Sequence, residues 1–508
     1  MGAEMDAFLG LEQQDPVIGL DGQRGERRRT YLDSAATTLM SRWVYTQVTH
    51  YLETSCANSH THAHRAGRAT TVAIEGARDA VGRLVHYDPG ADLVLFTGNG
   101  ATGALNYLAR ALFPPELRRC LKTADPKKTA VDAQAIVGRA TAARLAELAR
   151  RPLVVTTVME HHSNLLPWIE AVGRHHCRFV ETRPDGQLDL ADLQRILARE
   201  GDQVRVVAVA GVSNVTGVRN PIHAIAALAH AVGAEIVVDA AQMAAHAPIH
   251  LHVADPEQSL DYVALSGHKM YAPGSRGALV GRLAHTVGTA CVGDVGGGMV
   301  DSVSLDDYVP KDDITAREEA GTPNIPGSIA MGLAAELLQN TGFEAIEAHE
   351  AELVADTLSR LGAIPGVRLF GPAWSEHRRA GVVTFNVDGV HHGLTAAFLN
   401  DAYAVALRNE CFCAHPYVKR LLGITDAQEH RYLAEMQHGE RRNVPGMVRA
   451  SFGLYSTQAD VDALVAGVTE LAREKERVLA SYEAHVSGEF TRRGVGAALD
   501  LPPLFTGR

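Results

Sequence analysis

Short apolar, β-branched runs alternate with longer stretches of helical periodicity through the middle of the chain. The runs occupy residues 153–158, 178–181, 204–209, 235–238 and 262–265. Such an alternation is typical of parallel strands joined by crossover helices. The pattern predicts an α/β protein with a mostly parallel sheet flanked by helices.

One crossover helix shows clear start and stop signals. Asn220 stands at the expected N-cap, Pro221 at the first helical position, and Gly233 at the stop. The apolar face between them consists of Ile222, Ile225, Ala229 and Val232. This helix should pack on the sheet between the strands at 204–209 and 235–238.

The pattern changes after about residue 342. A long helix is predicted at 345–361, followed by strands at 367–370 and 382–387. The change indicates a smaller C-terminal α+β domain at 342–472, which follows a large domain at 30–341.

Residues 1–29 end in a charged run and are expected to be a poorly ordered leader. Three further segments look like additions to the core: a basic and then Ala-rich stretch at 116–152, a polar segment at 425–445 and an extension at 473–508. Solvated helices and surface loops are the expected structure of these segments.

Composition narrows the class of protein. The 508 residues are 46% hydrophobic and 21% charged, as in a globular enzyme, and the net charge of −11 argues against a nucleic-acid partner. Six scattered cysteines do not form a disulfide framework, which favours a reducing cytoplasm. No stretch is apolar enough to predict a secretory signal or a membrane span.

Candidate chemistry begins with Lys269, in the run Ser266-Gly267-His268-Lys269 after the strand at 262–265. Asp239 ends the preceding strand. Singly, such residues are more often a surface lysine and a helix cap. Together they suit a Schiff base from Lys269 to pyridoxal 5′-phosphate, with the Asp239 carboxylate paired to the pyridine nitrogen.

Residues 100–102, Gly-Ala-Thr, are small enough for backbone N–H groups to approach a phosphate at a helix N-terminus, and Thr102 adds a hydroxyl. We therefore expect Ala101, Thr102, Ser266 and His268 to bind the cofactor phosphate.

These motifs, in this order, resemble the class V branch of fold-type I pyridoxal-phosphate enzymes, in particular the cysteine desulfurase and selenocysteine lyase group. The resemblance runs from about residue 31 to residue 471. It implies the fold-type I transferase architecture, a homodimer, and removal of sulfur or selenium from L-cysteine or a related small amino acid. A sulfur-acceptor protein is a possible partner.

The resemblance also assigns roles to individual residues. His161, in Glu160-His161-His162, would stack on the cofactor ring, and Gln242 would hydrogen-bond the ring oxygen. Asn214, in 211–217, would lie beside the cofactor and the substrate carboxylate, which Arg449 would grip with a bidentate fork.

Three further residues are assigned in the same way. Thr322, in Gly-Thr-Pro-Asn, would reach the phosphate of the partner subunit. His64 matches an active-site histidine of the family and His60 an upstream one. The alternating His60, His62 and His64 could instead suggest a metal, but no cysteine or carboxylate completes a zinc site within that segment.

The identity of the nucleophile depends on residues 408–416, Arg-Asn-Glu-Cys-Phe-Cys-Ala-His-Pro. They resemble the desulfurase pattern Arg-x-Gly-His-His-Cys-Ala-x-Pro, which aligns Arg408 as a substrate-binding residue and Cys413 as the cysteine that attacks sulfur. Glu410 replaces the glycine, and Cys411 and Phe412 replace the histidines.

Other functions remain open at this point. Within the same fold, a transaminase, epimerase or carbon–sulfur lyase would use Lys269 without Cys413, which could then be a buried structural thiol. From another class, a non-catalytic metal- or pyridoxal-binding protein could use the histidines at 60–64 and the Cys411/Cys413/His415 group.

Overall fold

The computed structural model describes residues 7–59, 61, 63–114, 149–287, 291–375, 377 and 379–494. Its strands, in chain order, are β1 (Gln14–Ile18), β2 (Arg24–Arg28), β3 (Thr30–Tyr31), β4 (Leu93–Thr97), β5 (Leu153–Thr157), β6 (Cys177–Val180), β7 (Val204–Ala210), β8 (Glu235–Asp239), β9 (Tyr262–Ser266), β10 (Gly277–Gly281), β11 (Val300–Val303), β12 (Tyr308–Pro310), β13 (Val367–Phe370), β14 (Val382–Val387), β15 (Val405–Ala406), β16 (Arg408–Glu410), β17 (Met447–Ser451), β18 (Tyr482–Ala484) and β19 (Phe490–Arg492).

The α-helices alternate with these strands through the large domain. They are α1 (Arg42–Thr54), α2 (Arg65–Leu84), α3 (Gly100–Leu112), α4 (Leu166–Val172), α5 (Leu190–Glu200), α6 (Ile222–His230), α7 (Met243–His246), α8 (Leu283–Val287), α9 (Ile314–Glu318), α10 (Ile325–Thr341), α11 (Phe343–Gly362), α12 (His392–Tyr403), α13 (His415–Leu422), α14 (Asp426–Gln437), α15 (Gln458–Arg473) and α16 (Lys475–Ser481).

A seven-stranded sheet in the order β4-β10-β9-β8-β7-β5-β6 forms the centre of the described large domain. Strand β10 is antiparallel to both of its neighbours, and the other strand pairs run parallel. The predicted mostly parallel sheet with flanking helices is therefore confirmed. The carboxyl ends of β4, β5, β7, β8 and β9 lie at one edge, where ligands bind in open α/β sheets.

The β-branched runs form strands because both faces of the sheet are covered. Val207 and Val238 belong to the apolar core on one face, and Val206 and Val237 to the core on the other. Alternate side chains of a strand point to opposite faces, so a strand buried on both sides is apolar at successive positions.

The second sheet, β13-β14-β17-β16, is antiparallel and packs with α11, α12 and α15 around its own core. Its first two strands have the bounds expected from the sequence, and α11 contains the expected helix at 345–361. The domain boundaries themselves stay predictions.

The expectation of a poorly ordered leader is corrected for residues 7–29. Strands β1 and β2 form an antiparallel hairpin, and Phe8 and Leu11 are buried in the large-domain core. Arg28 pairs with Asp460 of α15 at 2.6 Å. Two apolar anchors and an ion pair therefore order a segment whose strands are too polar to show a strand pattern.

The start of α6 differs by one residue from the expectation. Pro221 is the N-cap and the helix runs Ile222–His230, because the Asn220 side chain donates to the Ala210 carbonyl at 2.8 Å instead of capping the helix. Gly233 has a φ of +69°, which suits the expected stop.

The added segments are partly described. Helix α14 lies in the segment at 425–445 and begins with a capping box between Thr425 and Gln428. Helix α16 and the hairpin β18–β19 form part of the extension at 473–508. Most of the segment at 116–152 lies outside the described residues. Within the described part of the chain, no helix is long and apolar enough to cross a bilayer.

Candidate active site

One cavity lies at the carboxyl edge of the central sheet. It brings together most of the residues that the sequence nominates: Ala101, Thr102, His161, Asn214, Asp239, Gln242, Ser266, His268, Lys269, Arg408, Cys413 and Arg449. Ser163 and Phe412, which the sequence did not nominate, also line it.

The N-terminus of α3 forms a cradle beside Ser266. The Ala101 N–H donates to Ser266 Oγ at 2.8 Å, and the Thr102 and Ser163 hydroxyls are 2.6 Å apart. Gly100 has a φ of +57°, and a Cβ atom there would lie 2.8 Å from Ser266 Oγ. Only glycine allows this close approach. Ala101, Thr102 and Ser266 line the cavity at this point.

His161 follows β5 and is held by Ser163. Its Nδ1 accepts from the Ser163 N–H at 3.1 Å, so the ring proton lies on Nε2. Burial and then the nearby Lys269 charge lower the pKa of His161 to about 3. The ring is therefore neutral at physiological pH and can lie flat against an aromatic ligand.

Asp239 ends β8 at the floor of the cavity, 4% exposed. Burial raises the pKa of its carboxyl above the usual value, while the Ala241 N–H, at 3.0 Å, and the Lys269 charge oppose the shift. A buried carboxylate of this kind is stabilised by a cation placed beside it. Gln242 nearby donates to the Ala35 carbonyl at 2.6 Å, but its Oε1 is buried without a partner among the described residues.

Lys269 ends a 3₁₀ turn (Gly267–Lys269) directly after β9. Burial lowers the pKa of its amine to about 8; Asp239 opposes this shift, and the Arg449 and Arg408 charges add to it. The turn is fixed from outside the cavity, because the His268 carbonyl accepts from Thr37 Oγ1 at 3.0 Å. About 10% of the Lys269 amine is therefore neutral and nucleophilic at pH 7.

Burial, followed by the charge of Lys269, lowers the pKa of His268 to about 4. His268 therefore faces the cavity as a neutral imidazole, which can donate a hydrogen bond to an anion.

Arg449 lies on β17 and is 2% exposed. Its Nη1 donates to the Asn214 carbonyl at 2.9 Å, and its Nη2 to Asp33 Oδ1 at 3.0 Å. The guanidinium carbon lies 4.9 Å from the centroid of the Phe412 ring. Burial lowers the pKa of Arg449 to about 10, with Asp33 opposing the shift, so the side chain is charged at neutral pH.

The loop after β16 carries two cysteines in different environments. Cys413 is half-buried and lines the cavity. Cys411 is buried, its Sγ lies 3.3 Å from the Pro445 carbonyl, and burial raises its pKa to about 12. Only the Cys413 sulfur is therefore placed to react with a ligand in the cavity.

This loop is also strained. Glu410, Phe412 and Cys413 have φ values of +89°, +50° and +56°. The left-handed region costs a residue with a Cβ atom about 1–2 kcal/mol. Asn214 holds the loop through a 2.7 Å hydrogen bond to the Phe412 carbonyl.

Two nominated residues lie outside the cavity of the single chain. His64 is exposed and caps α2, where its Nδ1 accepts from the Gly67 N–H at 3.1 Å. Thr322 is exposed, and its hydroxyl accepts from Asn58 Nδ2 at 2.9 Å. Their expected roles stay predictions.

Among the described residues, no three or more His, Cys, Asp or Glu side chains are grouped so that they could hold a metal ion. Cys411, Cys413 and His415 are among the residues searched, whereas His60 and His62 lie outside the described part.

Comparison with known proteins identifies the family. The aminotransferase class-V model matches residues 30–125 and 129–464. A probable cysteine desulfurase of Halalkalibacterium halodurans is 34% identical over 441 residues, which is 86% of this chain and 92% of the relative. A cysteine desulfurase of Dickeya dadantii is 31% identical over 446 residues, 87% and 92% of the two chains.

Solved structures agree. The apo cysteine desulfurase of Thermococcus onnurineus superposes with a TM-score of 0.69 at 28% identity, covering 88% of this chain and 95% of the other. The S-sulfonic acid form of the Escherichia coli cysteine desulfurase CsdA gives a TM-score of 0.67 at 26% identity, covering 89% and 95%. The chain belongs to the aminotransferase class-V family and is a cysteine-desulfurase-like member of it.

Proposed function

We propose that the protein is a pyridoxal-phosphate-dependent cysteine desulfurase that transfers sulfur from L-cysteine to Cys413. The observation that carries the proposal is that Lys269, Arg449 and Cys413 line one cavity. An amine for the cofactor, a fork for the substrate carboxylate and a thiol for the substrate sulfur are the groups that this reaction needs.

The cavity fits the cofactor. The Gly100 cradle, with the Ala101 N–H and the Ser266 hydroxyl, suits a phosphate. The buried Asp239 carboxylate suits a protonated pyridine nitrogen, and the orphaned Gln242 Oε1 marks a polar position that the protein leaves open. When bound, pyridoxal phosphate supplies an electron sink for the electrons left at the substrate Cα.

The other residues of the cofactor site have matching roles. Thr102 and His268 would complete the phosphate contacts, His161 would lie on the ring face, and Lys269 would hold the aldehyde carbon. Burial lowers the pKa of both His161 and His268, so both rings are neutral and neither adds a positive charge to the cavity.

Arg449 and Lys269 would handle the amino acid. The guanidinium of Arg449 keeps donors beyond those used by Asn214 and Asp33, so it can hold the α-carboxylate and fix the orientation of Cα. Arg408, which also lines the cavity, adds a second positive charge. The Lys269 amine, depressed in pKa, takes the Cα proton.

Cys413 would accept the sulfur. Its thiolate attacks the substrate sulfur and forms an S–S bond, while the C–S bond breaks with its electron pair going to the substrate carbon. That carbon, Cβ, is then protonated, and a proton returns to Cα from Lys269. The products are a Cys413 persulfide and alanine, so no external oxidant is consumed.

We also propose that the protein is a cytoplasmic homodimer that passes its sulfur to an acceptor protein. A homodimer would bring the exposed Thr322 to the partner's cofactor phosphate, and a sulfur-acceptor protein would discharge the persulfide. Five cysteines in the described part of the chain are free thiols: Cys56, Cys177, Cys291, Cys411 and Cys413. Free thiols support a reducing, cytoplasmic compartment.

A comparison of two cysteine variants tests the proposal. With L-cysteine and a thiol reductant, wild type should form alanine, and Cys413→Ala should still bind L-cysteine but form none. Cys411→Ala is the matched control and should keep most of the activity, because its thiol faces Pro445. Full alanine formation by Cys413→Ala would contradict the persulfide mechanism and favour a lyase or transaminase that does not use this thiol.

The cofactor assignment is tested separately. Borohydride treatment of the yellow holoprotein should fix the cofactor to Lys269, and Lys269→Ala should lose the visible absorption band. Modification of another lysine would overturn the assignment.

A further inference from the structure

We propose that His162 and His415 position the Cys413 thiol for attack on the substrate sulfur; the inference rests on the proposed desulfurase function. Their side chains form what we call the histidine clasp. The two rings stack with centroids 4.8 Å apart and planes inclined by 13°. His415 Nδ1 lies 3.0 Å from His162 Nε2, so one of these nitrogens can donate a hydrogen bond to the other.

The backbone completes the clasp. The His162 N–H donates to the Cys413 carbonyl at 2.7 Å, and the His415 N–H approaches His162 Nε2 at 3.4 Å. Residues on both sides of Ala414 are thus tied to one histidine. Since His162 is next to His161 in the chain, the clasp joins the turn that carries the cofactor-facing ring to the loop that carries the thiol.

The strain in the loop explains why such a clasp is needed. Phe412 and Cys413 both have positive φ and neither is glycine, so the loop would relax toward other conformations if it were released. Asn214 fixes the Phe412 carbonyl on the upstream side. The clasp fixes the Cys413 carbonyl and the start of α13 on the downstream side.

The inference predicts a particular combination of effects when the clasp is opened. His415→Phe keeps a ring for stacking but removes Nδ1, and His415→Asn keeps a donor close to the position of Nδ1. In His415→Phe, single-turnover alanine formation should be about tenfold slower, because a small misplacement of a reacting group is costly. The dissociation constant for L-cysteine, read from the cofactor absorbance, should not change, because Arg449 is untouched.

A second measurement reports the loop directly. Alkylation of Cys413 by iodoacetamide, followed by peptide mass spectrometry on the holoenzyme, should be faster in His415→Phe, because the released loop exposes the thiol more often. His162→Ala should give the same two effects, and His415→Asn should restore both rates toward wild type. If the histidines activated the thiol, their loss would slow both alanine formation and alkylation. Slower alanine formation together with faster alkylation therefore indicates that they position the thiol.

Two results would overturn the inference. One is an unchanged alanine rate in both His415→Phe and His162→Ala, and the other is an alkylation rate that falls together with the alanine rate. If wild type forms no alanine, the proposed function fails, but the alkylation comparison still tests the clasp: equal rates in wild type and His415→Phe would refute it.

Discussion

The lowered pKa of Lys269 can be measured without any turnover. With a pKa of about 8, about 10% of the amine is neutral at pH 7, against roughly 0.03% for an ordinary lysine. The neutral fraction of the Lys269 amine should therefore be about 300 times that of an ordinary lysine at that pH. Competitive acetylation of cofactor-free protein across a pH series, with peptide mass spectrometry, measures this titration.

Two variants and one internal control sharpen the test. Arg449→Met removes a nearby positive charge and should raise the pKa of Lys269, whereas Asp239→Asn removes the nearby negative charge and should lower it further. Lys419 is the internal control: burial lowers its pKa, but the contacts with Glu429 and Tyr432 together outweigh burial and leave it raised. A Lys269 titration near 10.5, or shifts of the same sign in both variants, would refute the electrostatic reasoning.

Three further predictions each concern one residue: Glu410, Arg449 and Asp239. Glu410→Gly should raise the free energy of unfolding by about 1 kcal/mol in urea titrations, since relief of the +89° φ outweighs the added flexibility of the unfolded chain; a lower stability would contradict the strain. Arg449→Lys should raise KM for L-cysteine roughly 10- to 100-fold, because an ammonium cannot hold a carboxylate bidentately; an unchanged KM would place the carboxylate elsewhere. Asp239→Asn should keep the cofactor but lose most exchange of the Cα proton of L-cysteine with deuterated solvent, measured by NMR; unchanged exchange would show that another residue pairs with the ring.

The parts of the structure that depend on local sequence were predictable. The strands β5, β7, β8 and β9 are largely apolar at successive positions because both faces of the sheet are covered. Asp239 is the last residue of β8, and Lys269 lies in the 3₁₀ turn after β9. The hairpin β1–β2 was not predictable. The sequence of β2, Arg-Gly-Glu-Arg-Arg, has no apolar periodicity, and its order comes from contacts with α15 and the large-domain core.

The residues of the candidate site that lie in local motifs could be named from the sequence, but the contacts between distant parts of the chain could not. The residues that follow strands were nominated because their neighbours match motifs, but the contacts of Arg449 with Asp33 and with Phe412 join distant parts of the chain. Asp33 and Arg449 are 416 positions apart. The positive φ values of Glu410, Phe412 and Cys413 could not be predicted, because none of these residues is a glycine. The spacing that suggested His64 could not distinguish a helix-capping residue from a catalytic one.

The mass of the Cys413 peptide after one turnover shows directly whether sulfur is transferred to this thiol. Holoenzyme should be mixed with one equivalent of L-cysteine without reductant, quenched with an alkylating agent and digested. We predict one additional sulfur atom on the peptide that carries Cys411 and Cys413, together with an equal amount of alanine. The added sulfur should be lost in Cys413→Ala and retained in Cys411→Ala. Alanine without added sulfur on this peptide, or added sulfur that persists in Cys413→Ala, would refute sulfur transfer to Cys413.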